Sequence, residues 1–310
     1  MAKKIVNLTT LFVDIVDSIE LANYWDVTKY NDFVDEFQYS MLNTIRFWAD
    51  GIREIKIAGD ELMVFYCSGD ISSDIANAIC LANNLKIGWY ASHTNLKRIK
   101  EGKKILDLGI GINTGKVVLD KRYYFKEIGR LVPKKTTYEG FAISLAKRIE
   151  SFSRQGKYSK IMLGQSSIAE FKKLYHNYEF EYVGLQKFKG LAQEIPIFEL
   201  KSCYSEVSEI LGSHKELDYI IKHLEKIINF DPSNIWLYTT LIDIYTQKQK
   251  YKKVEALCKE AISIDNTVAN IHSELASSLL KQKKYEESLS YINKAINLRT
   301  NLWYLYGTKE

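Results

Sequence analysis

Leu11-Phe12-Val13-Asp14-Ile15-Val16-Asp17-Ser18 ends an apolar run on an acid and opens the next segment on a hydroxyl. Working back to Ile5, the run is rich in Val, Leu, Thr and Phe and reads as a buried strand. Working forward, Ser18-Ile-Glu-Leu-Ala-Asn reads as a helix start. A strand therefore delivers Asp14 to an edge. A second acid stands in a similar place: two short β-rich runs, Ile52 to Ile57 and Leu62 to Tyr66, are split by Gly59-Asp60, a hairpin with an acid at its tip. A single Asp beside Gly or Ser ordinarily caps a turn. Isolated carboxylates near a core are costly, however, and a pair at strand ends calls for a cation.

The rest of the first two thirds alternates helix and strand. Tyr30 to Trp48 has helical spacing and ends at the turn pair Asp50-Gly51; Ile71 to Trp89 is helical. Ile105 to Ile112 and Gly115 to Leu119 are strand-like, Gly140 to Phe152 is an amphipathic helix, and Ile161 to Leu163 a short strand. Tyr182 to Leu200 closes the unit through a turn at Phe188-Lys189-Gly190-Leu191. The mixed order implies an α/β domain ending near residue 200. Beyond it the texture becomes Lys, Glu, Ile, Leu and Tyr at helical spacing with a period of 34: Tyr251 falls on Tyr285, Ala261 on Ala295 and Ile264 on Leu298. That is the tetratricopeptide period. The expected domains are 1–202 and an all-α repeat unit over 203–310, with two full repeats and partial units on either side.

At 310 residues the chain has room for two cores, and 46% hydrophobic residues with three prolines exclude a disordered or fibrous protein. The net charge of +5, from 43 basic and 38 acidic residues, is a weak pointer to an anionic partner; Lys248 to Lys253 reads as a solvated inter-helix turn rather than a nucleic-acid site. Cys67, Cys80, Cys203 and Cys258 are too dispersed for a zinc or CxxC motif and are read as reduced core residues. Asp14 and Asp17 interrupt the apolar stretch after Met1-Ala-Lys-Lys, and no run approaches the ~20 apolar residues of a membrane span. A cytoplasmic protein with no membrane or nucleic-acid partner is expected.

Five blocks in order carry a resemblance: Leu11 to Ser18, Ile55-Lys-Ile-Ala-Gly59-Asp60, Gly109-Ile-Gly-Ile-Asn-Thr-Gly115, Gly140-Phe-Ala-Ile-Ser-Leu-Ala-Lys-Arg148, and Lys189-Gly190-Leu191 leading to Pro196-Ile-Phe-Glu-Leu200. Together they resemble the successive motifs of class III nucleotidyl cyclases over about residues 5 to 200. The resemblance implies a ferredoxin-like core that closes a nucleoside triphosphate into a 3′,5′-cyclic monophosphate. It implies that Asp14 and Asp60, with the backbone carbonyl of Ile15, hold two divalent metals, Mn²⁺ or Mg²⁺. It gives Arg148 the transition-state phosphate charge and Lys189 an assisting contact at the triphosphate. It also implies a head-to-tail homodimer, metal aspartates from one protomer meeting the base-reading lysine and the arginine of the other.

The match departs from the family at the base and ribose. Lys56 stands where adenine-reading members have their lysine, but the aspartate's place holds Thr137, and Ser144 replaces the usual ribose-orienting asparagine. With the metal and phosphate residues intact and the purine-reading residues altered, the chain is similar to the pyrimidine cyclases of bacterial anti-phage systems, which make cyclic UMP or cyclic CMP as antiviral messengers. Adenylate cyclase, making cyclic AMP, is the alternative within the family. An inactive cyclase fold serving as a binding module is the alternative outside it, since helical repeats make grooves for a protein partner.

Overall fold

A computed structural model describes residues 4–47, 51–120, 123–127, 130–133, 137–172, 178–202 and 235–306, with scattered residues between 218 and 233. The chain opens on β1 (Lys4–Ile15), then α1 (Ser18–Tyr24), α2 (Val27–Phe47), the hairpin β2 (Ile52–Ala58) and β3 (Glu61–Tyr66), α3 (Ile71–Tyr90), α4 (His93–Lys100) and β4 (Leu108–Asp120). These strands lie in the order β2-β3-β1-β4, all neighbours antiparallel, with α2 and α3 crossing on one face. That is the ferredoxin-like arrangement expected from the sequence.

Alternation along β1 divides the sheet. Leu11, Val13 and Ile15 point into the main core with Phe33, Phe37 and Met41 of α2 and Ile75, Ile79 and Trp89 of α3. Leu8, Thr10, Phe12 and Asp14 therefore share the opposite face. On β4, Ile110 and Ile112 join the core, which turns Gly109, Gly111, Asn113 and Gly115 to that opposite face.

After β4 come β5 (Tyr123–Glu127) and β6 (Arg130–Pro133), a two-stranded ribbon, then β7 (Thr137–Glu139), which adds to the far half of β4. The helix α5 (Phe141–Ser153) lies across the glycine stripe. A Cβ on Gly111 would stand 2.2 Å from the Glu150 backbone nitrogen and 2.5 Å from the Ala146 carbonyl oxygen, so only glycine lets helix and strand approach this closely. Gly111→Ala is expected to cost about 3 kcal/mol, because the blocking atoms are backbone and cannot rotate away; chemical denaturation would measure it.

The sheet continues through β8 (Ile161–Gly164), parallel to β4, then β10 (Ile195–Ser202) and β9 (Glu179–Gln186), with α6 (Gln165–Phe171) between β8 and β9. Two expectations are corrected here. The two β-like runs at Ile105–Ile112 and Gly115–Leu119 form one strand that starts only at Leu108. Residues before it are claimed by helices: Trp89 Nε1 donates to the Leu106 carbonyl at 2.7 Å, and Asn95 Oδ1 accepts from Leu106 N at 2.8 Å. The cysteines are less buried than expected: Cys258 is in the core, Cys67 and Cys80 only partly buried, and Cys203 lies outside the described residues.

Four helices follow: α7 (Ile235–Gln247), α8 (Tyr251–Ile264), α9 (Ala269–Lys281) and α10 (Tyr285–Tyr306). Ile235 and Ala269 open the first members of two pairs and Tyr251 and Tyr285 the second, each offset by the 34 residues read from the sequence. The arrangement is loosely consistent with the expected repeats; the partial unit before Ile235 falls largely outside the described residues.

The helices dock on the sheet domain through a buried polar seam. Tyr158 Oη donates to Asp265 Oδ2 at 2.6 Å, Lys201 Nζ donates to Thr267 Oγ1 at 2.7 Å and stands 3.3 Å from Asp265, and Asn270 N donates to Glu179 at 2.6 Å. Burial pushes the Asp265 carboxyl up, but its hydrogen bonds from Thr267 and Tyr158 and the charge of Lys201 prevail and hold it down at about 2. A depressed carboxylate contributes stability above its unfolded pKa of roughly 3.9 and loses it as pH falls toward about 2. Asp265→Asn is expected to lose ~1 to 3 kcal/mol at neutral pH and to flatten the acid limb between roughly pH 4 and 2; melts across that range would read both.

Candidate active site

The end of β1 and the β2–β3 turn bring the two acids together because the strands pair in register, Asp14 opposite Glu61 and Val13 opposite Leu62. Gly59 takes a left-handed φ of 61° at the turn, and Gln38 Nε2 of α2 donates to its carbonyl at 2.9 Å, fixing the loop that carries Asp60. Asp14 Oδ1 accepts from the backbone N–H of Ile15 at 2.9 Å, while the Ile15 side chain is anchored in the core.

The far oxygen of Asp14 faces α5. Arg154 Nη2 reaches Oδ2 at 3.0 Å and Lys147 Nζ stands 3.8 Å from it. Lys147 Nζ also meets Glu61 at 2.5 Å and Glu150 at 2.8 Å. Glu150 is fully buried, and among the described residues its Oε1 and the neighbouring Ser153 Oγ have no hydrogen-bond partner. Burial first, then the charges of Glu150 and Asp60, push the Asp14 carboxyl up to about 6 against the opposing pull of Lys147 and Arg154. Partial burial, then Asp60 and Asp14, also raise the Tyr30 phenol of α2. The pocket thus concentrates more carboxylate than cation. Among the described residues no three acids, histidines or cysteines are gathered closely enough to hold a metal ion, but the carboxylates of Asp14 and Asp60 are hard oxygens of the kind Mg²⁺ and Mn²⁺ take, so their chemistry fits that class of ion.

The other sequence-derived candidates lie elsewhere in the protomer. Arg148 sits about 100° round α5 from Lys147, its Nη2 3.8 Å from where a Cβ on Gly190 would stand, beside the turn that carries exposed Lys189. Among the described residues no ion pair joins Arg148 to Asp14 or Asp60. Ser144 is exposed one turn earlier on α5, between Arg148 and Lys147, about 40° from the first and about 60° from the second. Lys56 on β2 is exposed, its Nζ 5.0 Å from the Phe65 ring centroid and 3.6 Å from Glu54. Phe65 stacks on Tyr138 of β7 at 5.5 Å, which brings the strand bearing Thr137 beside Lys56; the Thr137 side chain is outside the described residues. Asp14 and Asp60 therefore meet within one chain, as do Arg148 and the Lys189–Gly190 turn, but the two groups do not meet each other.

The sequence model of the family described as "Adenylate and Guanylate cyclase catalytic domain" matches residues 1–202. The chain belongs to that family. Solved structures agree at the level of fold: the adenylyl cyclase CyaB from P. aeruginosa is 20% identical with a TM-score of 0.51, covering 64% of this chain and 96% of that one. The guanylyl cyclase Cya2 is 19% identical, also with a TM-score of 0.51, covering 64% of this chain and 94% of that one. The four C-terminal helices lie beyond the family match. No helix among the described residues is long and apolar enough to cross a membrane.

Proposed function

We propose that the chain is an active nucleotidyl cyclase whose site is completed between two protomers, with a preference for a pyrimidine triphosphate. The observation that carries the reading is a separation around α5: Lys147 and Arg154 meet the acids at the ends of β1 and β3, while Arg148, about 100° farther round the helix, stands beside the Lys189–Gly190 turn. In a head-to-tail pair with C2 symmetry, the acids of each protomer face the Arg148 flank of its partner, forming two equivalent sites.

In the reaction the ribose 3′-hydroxyl attacks the α-phosphorus in line. The O3′–P bond forms, the bond from that phosphorus to the bridging oxygen breaks, pyrophosphate departs and the hydroxyl proton passes to solvent. Two divalent ions held by Asp14, Asp60 and the Ile15 carbonyl would supply charge stabilisation at nucleophile and leaving group. Arg148 is suited to the equatorial phosphate oxygens because its planar fork gives two parallel donors. Lys189, exposed on a turn, can follow the triphosphate tail. Lys56 and Thr137 would face the base, and Ser144 the ribose.

The pyrimidine preference is supported by Thr137: a hydroxyl in the place of the family's base-reading aspartate leaves the base wall without a paired acid, so discrimination rests on Lys56 and on pocket size. A role in antiviral signalling follows only if that product is made. Incubating the protein with Mn²⁺ and equimolar ATP, GTP, CTP and UTP, then identifying products by mass spectrometry, is expected to show cyclic UMP or cyclic CMP. Cyclic AMP alone would overturn the base assignment and leave the cyclase reading in place; no cyclic product would favour a binding role for the fold and its helical half.

A further inference from the structure

Lys147 and Arg154 are not among the residues assigned to catalysis above, yet they make the nearest cationic contacts to Asp14. They project from one flank of α5 with Glu150 between them, one and two turns apart, so a single face of the helix meets the β1 and β3 ends. Lys147 Nζ occupies the middle of three carboxylates: Glu61 at 2.5 Å, Glu150 at 2.8 Å and Asp14 at 3.8 Å. Arg154 closes the open side of Asp14 at 3.0 Å.

We infer that Lys147 and Arg154 are resident counter-ions of the metal carboxylate Asp14, held there with the help of Glu61 and Glu150 until a divalent cation displaces them from it. The inference rests on the metal reading of Asp14 and Asp60. Buried acids need a cation whether or not metal is bound, and unpaired they would repel one another across the β1–β3 pair. The tethered ammonium and guanidinium meet that need, so an incoming ion competes with them for the same oxygens. Both are long side chains with a third or more of their surface in solvent, able to swing outward when displaced. Glu150, fully buried with one oxygen unpartnered, stays as the anchor to which Lys147 can remain attached.

Competition makes a prediction opposite in sign to that of a structural or catalytic contact: removing either base should tighten metal binding. Mn²⁺ would be titrated into the full chain without nucleotide, with free Mn²⁺ followed by electron paramagnetic resonance. Arg154→Met and Lys147→Met are each expected to tighten Mn²⁺ binding about tenfold, while lowering the melting temperature of the metal-free protein but not of the Mn²⁺-loaded one. Arg154→Lys and Lys147→Arg, which keep the charge, should leave affinity within about twofold of the parent. Unchanged or weaker binding in Arg154→Met, which leaves the Lys147 pairs with Glu61 and Glu150 in place, overturns the counter-ion role even if Lys147→Met fails to fold. If the parent protein binds no Mn²⁺, or binds it equally well with Asp14→Asn, the metal assignment itself falls and takes the inference with it.

Discussion

Asp60→Ala is expected to abolish turnover, by about a thousandfold or more, while leaving the protein folded. The loss should equal or exceed what deleting one preorganised electrostatic group costs an enzyme, because two carboxylates are the minimum protein ligand set for two ions. The fold should be indifferent. Asp60 sits in a two-residue turn whose unusual backbone is supplied by Gly59, and the loop is tied down through Gln38 to the Gly59 carbonyl rather than through the Asp60 side chain. Removing its charge also relieves the repulsion that raises Asp14 and Tyr30. Stability of the metal-free protein should shift by no more than about 0.5 kcal/mol. Asp14→Ala is the poorer test, because Asp14 also accepts from Ile15 and holds Arg154, so its loss mixes folding with chemistry. Product formation under Mn²⁺ and a thermal melt on the same sample separate the two effects. Retained activity in a folded Asp60→Ala protein would sink the metal assignment.

The strands that deliver Asp14 and Asp60 were legible because each is short, apolar and closed by an acid or a glycine turn: Lys4–Ile15, Ile52–Ala58 and Glu61–Tyr66 fall within two residues of their sequence-derived bounds. The strand β4 was harder. Gly109, Gly111 and Gly115 make it read as broken, since glycine is a poor strand former. Their reason is tertiary, the close approach of α5, and a local pattern holds no trace of it until the helix is placed. The helices α4 and α6, at eight and seven residues, are too short to show periodicity, and α4 is nearly all polar. β5, β6 and β7 lack the run of alternating residues that would have marked them.

In the site itself, Lys147, Glu150 and Arg154 were overlooked for a related reason. Charged residues at helical spacing on an amphipathic helix ordinarily mark a solvated face. The available signal was the width of the polar arc of α5, which runs from Arg154 and Lys147 through Ser151 and Ser144 to Arg148 around the buried strip of Ala142, Ala146 and Ile149. So wide an arc can meet different surroundings at its two edges, and the register of β1 against β3 shows what meets the Lys147 edge.

Arg148, at the far edge of that arc, is the basis of the strongest test of assembly. If Arg148 serves the partner's acids, a heterodimer of an Asp60→Ala chain with an Arg148→Ala chain holds one site with both lesions and one with neither. Each variant alone should be nearly silent: Asp60→Ala for want of a metal ligand, Arg148→Ala by about a hundred- to a thousandfold for want of its donors to the developing phosphate charge. Co-expressed under different tags and purified through both, the mixed dimer should regain about half of the parent activity, since one of its two equivalent sites is intact. A site built within one chain gives the opposite result, because then each protomer carries its own lesion and the mixed dimer stays silent. The distinction requires no knowledge of which base is used. It is also insensitive to the Arg148→Ala protein being slightly less stable, because Arg148 is tied to no carboxylate among the described residues and reaches toward the exposed turn at Gly190. Recovery of activity would place the Arg148 flank of one protomer over the Asp14 flank of the other.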